Sequence, residues 1–151
     1  MANETAEIKE SPQQGALLVS LSHVNLIYDE TTRDGAHALA DISLDVRAGE
    51  RLCILGANGS GKSTLASVIC GLLAPDGGDV RLLGLDVCRG GKPDLEAYRV
   101  ARRGIGLVFQ NPEDQMVTRV VADDVAFGPE NLGVEPDEIS QRVERELGRV
   151  G

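Results

Sequence analysis

Gly56-Ala57-Asn58-Gly59-Ser60-Gly61-Lys62-Ser63 is the most informative stretch of this chain: it fits the pattern G-x-x-x-x-G-K-[ST]. Each residue type has a chemical reason to be there. Triphosphate oxygens need many donors in a small volume, and successive backbone N–H groups in a tight loop supply them as an anion nest. A side chain at Gly59 or Gly61 would block the curvature or the close approach. Lys62 places a point charge on the β- and γ-phosphates, and the Ser63 hydroxyl is a ligand for Mg²⁺. A helix that starts near Lys62 adds the partial positive charge of its N-terminus. A chance match in a chain of this length is on the order of one in a few hundred from ordinary residue frequencies.

The flanks agree with the loop. Leu52-Cys53-Ile54-Leu55 is a short continuous apolar run, which predicts a central strand buried on both faces. Lys62 to Leu73 predicts a helix with Leu65, Val68, Ile69 and Leu72 on one apolar stripe. Pro75-Asp76-Gly77-Gly78 ends it with breaker residues. Further upstream, Leu17 to Tyr28 and His37 to Val46 alternate and predict an antiparallel strand pair, joined by a polar turn from Asp29 to Gly35. Downstream come a strand over Asp79 to Leu83, a loop over Cys88 to Pro93 and a short helix from Asp94 to Arg103. Arg99, Arg102 and Arg103 are read as its C-terminal complement to the macrodipole. Ile105 to Phe109 predicts a second buried strand. From Glu113 onward the chain turns acidic and helical, with ten acids against four Arg and an amphipathic segment from Pro136 to Val150.

Composition excludes other classes. The 151 residues hold 24 acids and 15 bases, a net charge of −9 that argues against nucleic acid as a partner and against bare anionic membrane. Aromatics make up 3%, so the core must come from Leu, Val, Ile and Ala. Cys53, Cys70 and Cys88 lack metal-like spacing, and Cys53 and Cys70 lie in apolar runs that predict small buried hydrophobes of a reducing compartment. Neither a secretory leader nor an apolar stretch of the roughly 18 residues that a spanning helix needs is found. His23 and His37 are read as strand or surface residues, and Asp123-Asp124 as neighbours that diverge on a helix rather than a dyad.

Leu55 to Leu65, with Thr64 inside it, strongly resembles the Walker A segment of ABC-type ATPases, and Gly71 to Val80 is similar to that family's helix-to-strand passage. More narrowly, Val108-Phe109-Gln110-Asn111-Pro112-Glu113-Asp114-Gln115 and Asp123 to Gly133 resemble the ATPases of energy-coupling factor transporters, the cobalt and vitamin uptake group. The likeness covers roughly residues 17–150. It implies an α/β P-loop fold with an antiparallel β subdomain and a truncated helical subdomain. The implied boundaries are a disordered tail over 1–15, the β subdomain and nucleotide-binding core over 16–112, and the start of a helical subdomain over 113–151. It implies ATP with Mg²⁺ bound by Gly56, Ala57, Asn58, Gly59, Ser60, Gly61, Lys62, Ser63 and Thr64. Tyr28 falls where the family places the aromatic that stacks on adenine, by its ring face and not its hydroxyl; the alternative is a strand-end tyrosine that anchors the loop. Gln110 falls on the glutamine that contacts Mg²⁺ and senses the γ-phosphate.

The resemblance also implies partners. Segment 110–133 is expected to meet a transmembrane transporter subunit, with Glu113, Asp114, Asp123 and Asp124 as its charged part and Met116, Val125 and Phe127 as its apolar floor. A second ATPase subunit, identical or paralogous, would pair with this one, and a substrate-binding membrane subunit would be engaged indirectly. The expected place is the cytoplasmic face of the membrane. Two departures stand out. Val120 and Ala122 replace the Thr and acid expected before Asp123, so Thr118 becomes the candidate cap. The signature Leu-Ser-Gly-Gly-Gln, a Walker B strand ending in Asp-Glu and a switch histidine do not occur in the sequence. The expectation is therefore the N-terminal portion of a transport ATPase, inactive in hydrolysis by itself. Its rivals are an ATPase of another ABC importer branch and a non-hydrolysing nucleotide-binding interaction module.

Overall fold

Two long strands form the first antiparallel pair of the fold. In the computed structural model, which describes residues 13–28 and 36–151, β1 spans Leu17–Tyr28 and β2 spans Ala36–Arg47. They pair antiparallel from Leu17 opposite Arg47 to Tyr28 opposite Ala36. The turn expected over Asp29 to Gly35 lies outside the described residues, and so does the expected tail as far as residue 12. Val19 and Leu21 of β1 are buried, and so are Val24 and Leu26; the alternation slips once between the two pairs, where the register shifts. At that slip His23 (φ 50°) and Asp41 on β2 (φ 54°) both take left-handed backbone, which costs on the order of 1 kcal/mol or more for a residue with a side chain. Local contacts hold it: His23 Nδ1 lies 2.7 Å from Asp41 Oδ1, and the Asp41 N–H donates to Asn25 Oδ1 at 2.9 Å. The irregularity keeps both halves of β1 facing one core.

Three more strands complete the sheet: β3 (Gly77–Leu82), β4 (Leu85–Arg89) and β5 (Lys92–Pro93). The order is β2-β1-β3-β4-β5, each neighbouring pair antiparallel. The expected loop over Cys88 to Pro93 is corrected here. Leu83 and Gly84 make the turn, Val80 pairs with Cys88, and Val87 and Cys88 are fully buried. Cys88 is thus the buried cysteine, Cys70 is half-buried and Cys53 is exposed, against the expectation for Cys53. Burial pushes the Cys70 and Cys88 thiols up from their ordinary range.

Helix α1 (Lys62–Ile69) and helix α2 (Leu95–Arg102) pack on this sheet through Val68, Tyr98 and Ala101. α1 is shorter than the stripe predicts. Gly71 (φ 68°) takes the left-handed position after the helix, Leu72 N–H reaches back to Ser67 O at 2.8 Å and Gly71 N–H to Val68 O at 3.0 Å. That paired closure ends the helix and turns Leu72 out to solvent. α2 begins where the sequence indicates: Asp94 accepts from the N–H groups of Glu96 and Ala97, both at 3.0 Å. Arg99 and Arg102 lie in the last turn of α2, as expected of a complement to the macrodipole, and Arg99 also grips Glu96 at 2.6 Å and holds that carboxyl below its usual range. Tyr98 is the one aromatic in this core, and its hydroxyl finds no partner among the described residues. Burial pushes the phenol up to about 12.

The two predicted central strands do not form. Among the described residues Leu52–Leu55 make no backbone hydrogen bond and pair with no strand, and Leu55 is 87% exposed. Ile105 touches the core, whereas Val108 is 84% exposed. An apolar run becomes a strand only when a neighbour supplies the ladder, and the five-stranded sheet offers these runs none.

The described residues divide into two compact units, the first reaching Gly106 and the second spanning Leu107–Gly151. The second holds a 3₁₀ turn (Pro112–Gln115), helix α3 (Val121–Asn131) and helix α4 (Pro136–Val150). Ile139 and Val143 are its buried residues, on the face of α4 toward α3, as the amphipathic pattern predicts. Arg142 pairs with Glu138 one turn earlier, an arrangement that supports an exposed helix modestly. No helix among the described residues is long and apolar enough to cross a membrane.

Candidate functional site

The loop ahead of α1 is built on short-range contacts. Ser60 N–H donates to Ala57 O at 3.2 Å, closing the turn. Lys62 folds back over it, its Nζ donating to Gly56 O at 2.9 Å and Ala57 O at 2.7 Å, with Ser60 Oγ at 3.5 Å. The ammonium therefore rests among loop carbonyls, ready to exchange them for stronger anionic acceptors. Gly61 carries the tightest requirement. Its φ is 83°, and a Cβ added there would run into the Ala38 carbonyl of β2. Strand β2 thus forms one wall of the loop, and a cleft of about 390 Å³ lies between them, lined by His37, Leu39, Leu55, Ser60, Lys62 and Leu65 among others.

α1 starts from Gly61 without a side-chain cap, so its first-turn N–H groups have no partner within the helix. Such a terminus, behind a glycine-rich turn, is suited to phosphate oxygens. Ser63 is exposed and its hydroxyl makes no hydrogen bond among the described residues, which leaves it open as an oxygen ligand for a cation. Thr64 is buried, and its Oγ1 lies 3.4 Å from the Tyr28 hydroxyl. Tyr28 ends β1 with its ring half exposed, so a face is open to stacking. The donor set and the open hydroxyl fit a magnesium nucleotide.

Gln110 belongs to the second unit. It is exposed in the bend before the 3₁₀ turn, and Gln115 Nε2 closes that bend by donating to Leu107 O at 3.0 Å. The acids of this unit separate by geometry. Asp124 turns its carboxylate back to accept from Val117 N–H at 2.8 Å and Thr118 N–H at 3.1 Å. Asp123 instead lines a groove of about 570 Å³ between α3 and α4, with Glu130 and Glu144 on its rim and Ala126, Ile139 and Val143 on its floor. The candidate cap is corrected too: Val120 occupies the cap position without a side-chain bond, and the Thr118 hydroxyl donates to Val120 O at 2.8 Å. Met116, Val117, Val121 and Phe127 are exposed around the start of α3.

Two contributors were not singled out by sequence. One is Ala38, whose carbonyl bounds Gly61. The other is Asp76, whose Oδ2 accepts the Ile27 N–H at 2.8 Å and so fixes the backbone next to Tyr28. The only signal for Asp76 was its place in a Pro-Asp-Gly-Gly turn, where Asp side chains commonly bind backbone.

An α/β arrangement with a G-x-x-x-x-G-K-S loop opening onto a helix defines a P-loop nucleotide-binding fold. The chain belongs to the ABC transporter family, whose description matches residues 39–151. A Bifidobacterium longum protein provisionally named an ABC transporter ATP-binding protein is 58% identical over 131 residues, which is 87% of this chain and 16% of that protein. An energy-coupling factor transporter ATP-binding protein of Clostridium perfringens is 50% identical over 114 residues, 76% of this chain and 39% of that protein. Among solved structures, cbiO1 of Clostridium perfringens, part of the ABC transporter complex cbiONQ, superposes with a TM-score of 0.71 at 34% identity, covering 89% of this chain and 50% of that one. The chain therefore spans half or less of the length of these relatives.

Proposed function

We propose that this chain is the nucleotide-binding portion of a transport ATPase of the energy-coupling factor group, taking ATP with Mg²⁺ at residues 56–64. The observation that carries the reading is the Lys62 ammonium resting on Gly56 O and Ala57 O above an uncapped helix start. Full-length members of the family are ATPases, and the named energy-coupling relatives support this branch. The backbone of Gly56 through Thr64 would bind the phosphates, and Tyr28 would carry the adenine. Ser63 would hold the metal, and Gln110 remains the family's expected glutamine for the same ion. When bound, Mg²⁺ neutralises charge on the phosphate oxygens.

In the proposed assembly, segment 110–133 docks a transmembrane subunit at the cytoplasmic face. A second ATPase subunit completes the pair, and the complex takes up a small nutrient such as a vitamin or metal ion. Exposed Met116 and Phe127 supply the apolar part of that surface and Asp123 the charge. Asp124 keeps its charge but turns its carboxylate to the N–H groups of Val117 and Thr118 at its own helix start. Calorimetric titration with MgATP tests the reading: saturable binding that Lys62→Ala abolishes or weakens at least tenfold supports it. Equal affinity in both proteins overturns it.

A further inference from the structure

We propose that the Tyr28 and Thr64 hydroxyls form a positioning pair that couples the base end of the nucleotide site to its phosphate end. This rests on the nucleotide-binding reading above. The resemblance assigns the adenine contact to the ring face of Tyr28, and its hydroxyl in addition reaches the first turn of α1. Thr64 directly follows Lys62-Ser63, is 9% exposed, and has Tyr28 as the hydrogen-bond partner of its Oγ1. The backbone on the other side is also held, because Ile27 N–H donates to Asp76 and Asp76 N–H donates to Asn25 O at 2.9 Å. Tyr28 thus has the backbone beside it held and its hydroxyl within reach of Thr64, although its ring is half exposed.

The hydroxyl separation of 3.4 Å exceeds the ~2.8 Å of an optimal O–H···O bond. The contact therefore has room to tighten. A half-exposed tyrosine without an anchor samples several rotamers, and a ligand must order it on binding. Tied to Thr64, the ring is ordered in advance, and a shift of the first turn of α1 toward phosphate is transmitted to it. A ligand with both an aromatic base and a polyphosphate gains from the link, whereas inorganic polyphosphate does not. The pair acts on the presence of a base rather than its identity, since stacking accepts any π-face.

The test compares affinities of the 151-residue chain for MgATP and for magnesium tripolyphosphate by calorimetry. The variants are Tyr28→Phe, Thr64→Val, the double variant, and Thr64→Ser as the one that keeps a hydroxyl. The readout is the ratio of the two affinities, which cancels any damage to phosphate binding alone. The ratio should fall about three- to fivefold in Tyr28→Phe and in Thr64→Val, the scale of ordering one side chain in advance. It should fall no further in the double variant and should hold in Thr64→Ser. An unchanged ratio in Tyr28→Phe, or effects that multiply in the double variant, overturns the pair. Tyr28→Phe removes one oxygen from a half-exposed ring, so it decides the matter alone if Thr64→Val does not fold. Failure of the unaltered chain to bind either ligand overturns the nucleotide-binding reading and the pair with it. Binding with an unchanged ratio overturns only the pair.

Discussion

Asp76 and Ile27 stand 49 positions apart in sequence, and one hydrogen bond of 2.8 Å from the Ile27 N–H to Asp76 Oδ2 joins the turn after α1 to the end of β1. Asp76→Ala leaves that backbone donor without its acceptor and frees the residue before Tyr28. The expected loss is about 1 kcal/mol of stability, the net contribution of a hydrogen bond at an exposed position. Urea unfolding measures it, and an unchanged midpoint would show that water replaces the carboxylate at no cost.

Gly61 has no tolerance for a side chain. Gly61→Ala places a methyl against the Ala38 carbonyl at a φ of 83°, so both strain and collision oppose it. A melting temperature lowered by several degrees is expected, together with loss of MgATP binding. Gly59→Ala is the comparison: it carries φ 79° but has open space around it, so it should cost less stability. Equal melting points for the two variants would remove the β2 wall from the account.

Asp123 and Asp124 should part company under mutation. Asp124→Ala strips the acceptor from Val117 and Thr118 N–H and is expected to lower stability by about 1 kcal/mol, as loss of a helix-start acceptor does. Asp123→Asn should leave stability unchanged and weaken co-purification with a transmembrane partner. Thermal melts and pull-downs of both variants separate the roles, and a stability loss in Asp123→Asn would contradict the assignment.

Alkaline pH should unfold this chain partly through Tyr98. Its phenol ionises at about 12 when folded and near 10 when unfolded, so the folded state binds the proton more tightly. Stability is intact below pH 10 and falls as pH rises toward 12, by about 2–3 kcal/mol in all at 1.4 kcal/mol per unit. Tyr98→Phe removes an unpartnered buried hydroxyl and should be neutral or slightly stabilising at pH 7. Denaturant titrations across pH 9–12 read the difference between the two proteins. Parallel curves would mean that the phenol is solvated.

The 151-residue chain is expected to release no phosphate from ATP above the level of its Lys62→Ala variant. The reason is chemical: no Asp-Glu after a Walker B strand is present to hold the metal and polarise water. A dye assay for phosphate over hours measures it, and turnover lost in Lys62→Ala would refute it.

Legibility followed the range of the interaction. Asp94 capping α2, the strand pair over β1 and β2, and the apolar stripe of α4 were readable because their physics is local or periodic. Leu52–Leu55 and Val108–Phe109 were misread because an apolar run states only what it would bury, and a strand also needs a neighbour. Cys88 was missed because Leu83-Gly84 makes a tight turn inside what looked like one strand and a loop. In the candidate site, the glycines and Lys62 announce themselves by spacing. Ala38 and Asp76 do not, since a backbone carbonyl and a side chain from distant segments leave no pattern to find.

The bare run at Leu52–Leu55 has a consequence for how the chain behaves in a tube. Backbone donors and acceptors left open beside exposed Leu and Ile side chains are a template for another molecule of the same kind. Opposing this is the net charge of −9, which keeps like molecules apart over roughly 10 Å at 0.1 M salt and over far less at 1 M. Colloidal lifetime is then a contest between a short sticky segment and a long-range repulsion. Raising salt or protein concentration should cloud the solution well below the temperature at which the sheet melts.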